Sequence, residues 1–125
     1  MKRISKLIWL SILMLPMLAF QCNVDDEIPP FKGKLAVAGI CGNYTIVLVD
    51  GNLPSTTYEN TWVDPQTSIS YSKAFRLANI CDFPNSVQEG DEFYFYIESR
   101  PNEQCATCLA FYPTPQRSLA IRVYQ

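Results

Sequence analysis

Four cysteines, Cys41, Cys81, Cys105 and Cys108, are the side chains best placed by type and spacing to do chemistry in this sequence. A thiol can bond a second thiol, ligate zinc or act as a redox nucleophile. Cys105–Ala106–Thr107–Cys108 is a C-x-x-C with three main readings, a local disulfide, a redox-active pair, or half of a four-cysteine zinc site, beside which pairings crossed with Cys41 and Cys81 stay open. A redox pair needs a low-pKa thiolate at a helix N-terminus, inside a βαβ pattern. Neither helix nor βαβ pattern is visible. Zinc sites usually pair short ligand spacings, and Cys41 and Cys81 are far apart in the chain. Structural disulfides are therefore the leading expectation, provided the compartment is oxidising.

Other catalytic chemistry is hard to assemble. The chain has no His, which removes Ser–His–Asp and Cys–His catalysis and imidazole metal sites. No Gly-rich phosphate loop and no full calcium-loop pattern occurs. Asp91 and Glu92 are neighbours on one predicted strand and point to opposite faces. Glu92 and Glu98 share a face but lie roughly 20 Å apart at strand rise, beyond the roughly 5–9.5 Å that paired glycosidase carboxylates use. The sequence thus reads as a non-enzyme with no cofactor.

Aromatics are the excess that could mean recognition. Tyr58, Trp62, Tyr71, Tyr94, Tyr96, Tyr112 and Tyr124 fall in loops or on expected outer faces, and rings with a polar handle suit sites that are part apolar and part wet. The first five are the candidate binding residues. The structural alternative is that Trp62 and several tyrosines close the ends of a small barrel as a secondary core. The predicted connection over residues 53–71 carries three of these rings among Thr, Ser and Asn, a composition that recognition loops use.

The elements that must position these residues read as strands. Alternation and β-branched or aromatic runs predict strands over residues 34–41, 44–49, 74–81, 92–98 and 119–124, with a short one near 58–63. The clearest is 92–98, where Phe93, Phe95 and Ile97 share one face and Tyr94 and Tyr96 the other. Gly42–Asn43 and Asp50–Gly51 are turn signals, the second of hairpin type. The fold class is all-β: five strands in a small barrel resembling an OB-fold, with a β-sandwich as the alternative. If the first strand runs up to Cys41 and the third up to Cys81, both end at the same edge. The expected bonds are then Cys41–Cys81 and Cys105–Cys108, the first closing a loop of roughly 40 residues worth about 4 kcal/mol.

The start of the chain addresses the compartment. Met1–Lys2–Arg3 and Lys6 are followed by an uncharged run over residues 7–20, the anatomy of a secretory signal peptide. Leu18–Ala19–Phe20–Gln21–Cys22 resembles the lipobox of bacterial lipoproteins. The resemblance implies cleavage before Cys22 and diacylglycerol on its thiol. Asn23–Val24–Asp25–Asp26–Glu27 resembles the acidic tag that directs some Gram-negative lipoproteins to the outer cell surface. The expected organisation is a signal peptide (1–21), a lipidated Cys22 with an acidic, Pro-containing tether (22–30) and one β domain (31–125). The expected location is the outer membrane or surface of a Gram-negative bacterium, with the periplasmic face as alternative.

Three of the ten basic residues (Lys2, Arg3, Lys6) lie in this leader, so the remainder has seven against twelve acids, a net charge near −5. That disfavours nucleic acid, which needs clustered positive charge. The function expected is a membrane-anchored binding or structural module for an envelope protein or glycan. The alternative is a thiol–disulfide oxidoreductase using Cys105 and Cys108.

Overall fold

Strands form where side chains alternate around a phenylalanine-rich interior. The computed structural model describes residues 28–125; the leader, Cys22 and most of the tether lie outside the described residues. Seven strands make one sheet: β1 (Phe31–Ala38), β2 (Tyr44–Asp50), β3 (Glu59–Val63), β4 (Ser70–Leu77), β5 (Glu92–Ile97), β6 (Ser118–Leu119) and β7 (Ile121–Val123). The order is β3-β4-β2-β1-β5-β7, antiparallel throughout, and β6 pairs with β4 in parallel.

β6 and β7 are separated only by Ala120. One short segment therefore touches β4 at its start and β5 at its end. Arg76 and Ala78 donate their N–H groups to the carbonyls of Arg117 and Leu119, and Glu98 donates to Ala120. The sheet is barrel-like but not closed by a full ladder, as in a partly open five-stranded barrel. Five expected strands become seven because the last is split at Ala120 and the short strand near residue 60 is a full ladder partner of β4.

Asn79 fills the gap between β4 and β7. It is buried, its Nδ2 donates to the Ile121 carbonyl, and its Oδ1 accepts from the Ile121 N–H. A side-chain amide thus does the work of a strand backbone.

Phe75, Phe95, Leu35, Ile46 and Ile121 are fully buried at the centre. Phe95 touches Phe31, Phe75 and Phe93 with ring centroids 5.4, 6.2 and 6.0 Å away. A Cβ on Gly33 would come within 3.0 Å of the Phe95 ring, so the missing side chain is what lets this ring lie against β1. Two predicted inward positions differ: Ile97 is 46% exposed at the end of β5, and Val49 is 45% exposed on β2. Asp50–Gly51 turns the chain but starts no hairpin, since β2 pairs with β1 and β4.

The expected disulfides are corrected. The bonds are Cys41–Cys108 and Cys81–Cys105, with Cα separations of 5.1 and 5.5 Å. β1 and β4 end at Ala38 and Leu77, short of the cysteines. Cys41 and Cys81 sit instead on short 3-10 turns, Ile40–Gly42 and Ile80–Asp82. Residues 106–110 form no turn or helix that would bring Cys105 and Cys108 together. Without one, three residue steps span roughly 10 Å, beyond the roughly 7 Å that a disulfide bridges. Each cysteine of the pair reaches a different 3-10 turn.

Candidate functional site

The β3–β4 hairpin ends in Asp64–Pro65–Gln66–Thr67–Ser68–Ile69, and its geometry follows from one carboxylate. Asp64 Oδ1 accepts the N–H of Gln66 at 2.8 Å, and the backbone closes with Asp64 N–H to Ile69 C=O and Ser68 N–H to Asp64 C=O. This is the turn chemistry that Asp supplies. The second oxygen, Oδ2, accepts the Tyr112 hydroxyl at 2.9 Å, and Asp64 is fully buried. Tyr112 follows the disulfide-bearing segment, so this bond ties that segment to the hairpin tip.

Backbone packing places Tyr112. A Cβ on Gly39 would lie 2.9 Å from the Tyr112 side chain and 2.5 Å from the Asn43 carbonyl. Asn43 Nδ2 in turn donates to the Ala110 carbonyl at 2.9 Å. The tyrosine therefore lies on bare backbone at the end of β1.

Between hairpin tip and sheet lies a cleft of about 440 Å³. Its walls are Lys34 and Ala36 of β1, Val47 of β2, Tyr71 of β4, Asp64, Thr67 and Ile69 of the tip, Glu89, Gly90 and Tyr112. Glu89 Oε1 accepts the Ala38 N–H, and Gly90 N–H donates to Leu35 C=O, which fixes the lower rim. Apolar surface, one cation, two carboxylates and two phenols converge here, the mix that ligand clefts use.

Both phenols resist ionisation. Tyr112 is held above the ordinary tyrosine value, first by donating its proton to Asp64, then by desolvation and the charges nearby. Tyr71 is raised by desolvation, then by Asp64 and Glu89. A raised folded-state pKa means that the Tyr112 contact is intact below about pH 10 and is lost as pH climbs through the folded value. In an alkaline absorbance titration Tyr112 is expected among the last tyrosines to ionise. Tyr112→Phe is expected to take its phenol from that late step; a loss taken from the early part of the curve would show that the Asp64 bond is not formed.

The chain, compared with protein families, curated proteins and solved structures, matches none of them.

The five sequence-predicted binding aromatics do not form one site. Tyr71 lines the cleft, and Trp62 stacks on its ring at 5.9 Å and 25°. Trp62 is half-buried and outside the core cluster, so it is not a lid sealed into the interior. Tyr58 packs partly on the core and lines a separate groove. Tyr94 and Tyr96 are on β5, under Lys32 and Arg122 at 5.6 and 5.1 Å, and neither reaches the cleft.

Lys34, Asp64 and Glu89 were not singled out by sequence, and Tyr112 was named among the outer rings but not among the candidate binding residues. Asp64–Pro65 was the available signal for Asp64, since Asp before Pro initiates turns.

The four cysteines share a second cleft of about 400 Å³ with Ile80 and Phe83. All four sulfurs are bonded, which removes the zinc reading. Among the described residues no group of three or more metal-ligating side chains occurs.

Proposed function

We propose that this chain is a lipid-anchored binding module of a bacterial envelope, facing the cell surface or the periplasm, whose cleft receives part of a protein or glycan. The cleft itself carries the reading: Tyr71 and Tyr112 offer ring surface and hydroxyls beside Lys34 and Glu89, over an apolar floor of Ala36 and Val47. Two disulfides support an oxidising compartment. Among the described residues no helix is long and apolar enough to cross a membrane; the anchor proposed is the lipid on Cys22.

Two measurements test the proposal. Mass spectrometry of the membrane-extracted protein is expected to find a diacylglyceryl group on an N-terminal Cys22; an unmodified Cys22 in a mature chain would sink the anchor. A photo-crosslinker at Thr67, on the cleft rim, is expected to capture an envelope partner on intact cells, and Lys34→Glu to abolish that capture. Capture unaffected by Lys34→Glu would place the partner elsewhere.

The rival reading is a thiol–disulfide oxidoreductase acting through Cys105 and Cys108. Redox titration separates the two. A binding module is expected to hold both bonds below about −300 mV, whereas potentials in the oxidoreductase range, about −120 to −270 mV, would favour the rival.

A further inference from the structure

The second surface of interest is the outer edge of β3. Among the described residues it is the end strand of the sheet and pairs only with β4. Its hydrogen-bonding parity is fixed at the hairpin tip, where the Asp64 N–H donates to the Ile69 carbonyl. Antiparallel pairs alternate between bonded and non-bonded. Trp62 and Tyr71 are therefore a bonded pair, while Thr61–Ser72 and Val63–Ser70 are not. The N–H and C=O groups of Thr61 and Val63 consequently point away from β4, to solvent.

Exposed edge strands are ordinarily blunted by Lys, Pro or a bulge. Glu59–Asn60–Thr61–Trp62–Val63 contains neither Lys nor Pro, and Val63 is 52% exposed. Left-handed Lys73 (φ 51°) interrupts the partner strand instead. Beside the first half of β3 runs a groove of about 440 Å³, lined by Tyr58, Glu59, Asn60, Thr61, Gln116 and Arg117. Arg117 is already committed to the carbonyls of Ser55 and Tyr58. Glu59 carries a carboxylate oxygen, Oε2, that is out of solvent and has no hydrogen-bond partner.

From these features we infer that β3 accepts an extended segment of a partner protein as an added strand. The segment pairs its backbone with Thr61 and Val63, lays an apolar side chain beside Val63, and brings a hydrogen-bond-donating side chain, Lys or Arg foremost, to the Glu59 groove. Main-chain bonds supply affinity in such additions, and alternate side chains supply specificity. Glu59 is the one acidic side chain lining the groove, and the Arg117 beside it is spent on two carbonyls, so the groove favours a donor over an acceptor. This surface is separate from the cleft, and its occupancy does not depend on the cleft being a binding site.

The test uses the disulfide-bonded chain and a phage-displayed library of random 12-residue peptides. Selected peptides are expected to be enriched in alternating apolar residues and in Lys or Arg. On binding, the Thr61 and Val63 amides are expected to slow in hydrogen exchange, while the Trp62 amide is protected in both states. Thr61→Pro removes an N–H that faces solvent, and proline is tolerated at such edge positions. It is expected to weaken the peptides by about tenfold, on the order of one lost main-chain bond. Val63→Lys, a charge placed on the same edge, serves if Thr61→Pro unfolds. Lys34→Glu, in the cleft, is expected to leave peptide binding unchanged. A library without binders, binders indifferent to both edge variants, or protection confined to cleft residues would each overturn the inference. Loss of binding through Lys34→Glu alone would instead assign the peptides to the cleft.

Discussion

Replacing Cys41 and Cys108 together by Ser is expected to lower the unfolding free energy by about 4 kcal/mol. The two residues are 67 positions apart, and chain-entropy estimates for a loop of that length give about 4.4 kcal/mol. Cys81→Ser with Cys105→Ser closes a shorter loop, a separation of 24, and is expected to cost about 3.5 kcal/mol. Either loss is a large part of the roughly 5–15 kcal/mol that holds a small domain folded. The informative comparison is Cys41→Ser with Cys81→Ser. If those two were partners, that variant would lose one bond; with the bonds seen here it loses both, leaving Cys105 and Cys108 without mates. Urea unfolding of the three double variants, with peptide mapping of the disulfides, checks this. A 41–81 linked peptide from the oxidised native chain would refute the pairing.

Asn79→Ala is expected to be comparably severe without touching the hydrophobic core. It strands the N–H and C=O of Ile121, a residue only 1% exposed. At about 1–3 kcal/mol for each orphaned buried group, the loss is roughly 2–6 kcal/mol. Asn79→Asp separates geometry from volume. It can still accept from the Ile121 N–H, but it sets a charge against the Ile121 carbonyl and against Asp82, whose carboxylate Asn79 now holds by its Nδ2 at 2.9 Å. Both variants are therefore expected to melt earlier than the parent, and the C-terminal strand to exchange its amides first. A melting temperature within a degree or two of the parent would mean that the 118–123 segment is held by side-chain packing alone.

What the sequence discloses depends on how local the deciding interaction is. β5 was legible because period-two alternation reports its own burial: Phe93 and Phe95 are inside, Tyr94 is 42% exposed, and only the fraying end at Ile97 departs. β2 was found from its aromatic and β-branched run, apolar on both faces, and β3 was glimpsed from Tyr58, Trp62 and Val63. The disulfide partners were not legible, because they turn on two 3-10 turns that shift Cys41 and Cys81 off the strand ends. One of these turns contains a left-handed cysteine, Cys41 at φ 58°, a conformation that no residue preference announces. The cleft was half legible. Tyr71 and Tyr112, which line it, were both visible as rings outside the expected core. Asp64 and its bond to Tyr112 were not, since that contact joins residues 48 positions apart in sequence. Trp62 was ambiguous between lid and surface, and it takes an intermediate place because its neighbour is Tyr71 across a two-stranded edge rather than the core.

The crossed partnership of the C-x-x-C pair has a bearing on resistance to proteolysis. Residues 99–111 are exposed throughout, with Leu109 wholly accessible and Phe111 78% so, and such segments are where proteases nick a folded chain. Because Cys41 is joined to Cys108, a single cut at any peptide bond between them leaves the two fragments covalently attached. The strand that bridges β4 and β5 then stays tethered to its seat. Had each cysteine bonded its nearest companion in sequence, one cut before Cys105 would have released it.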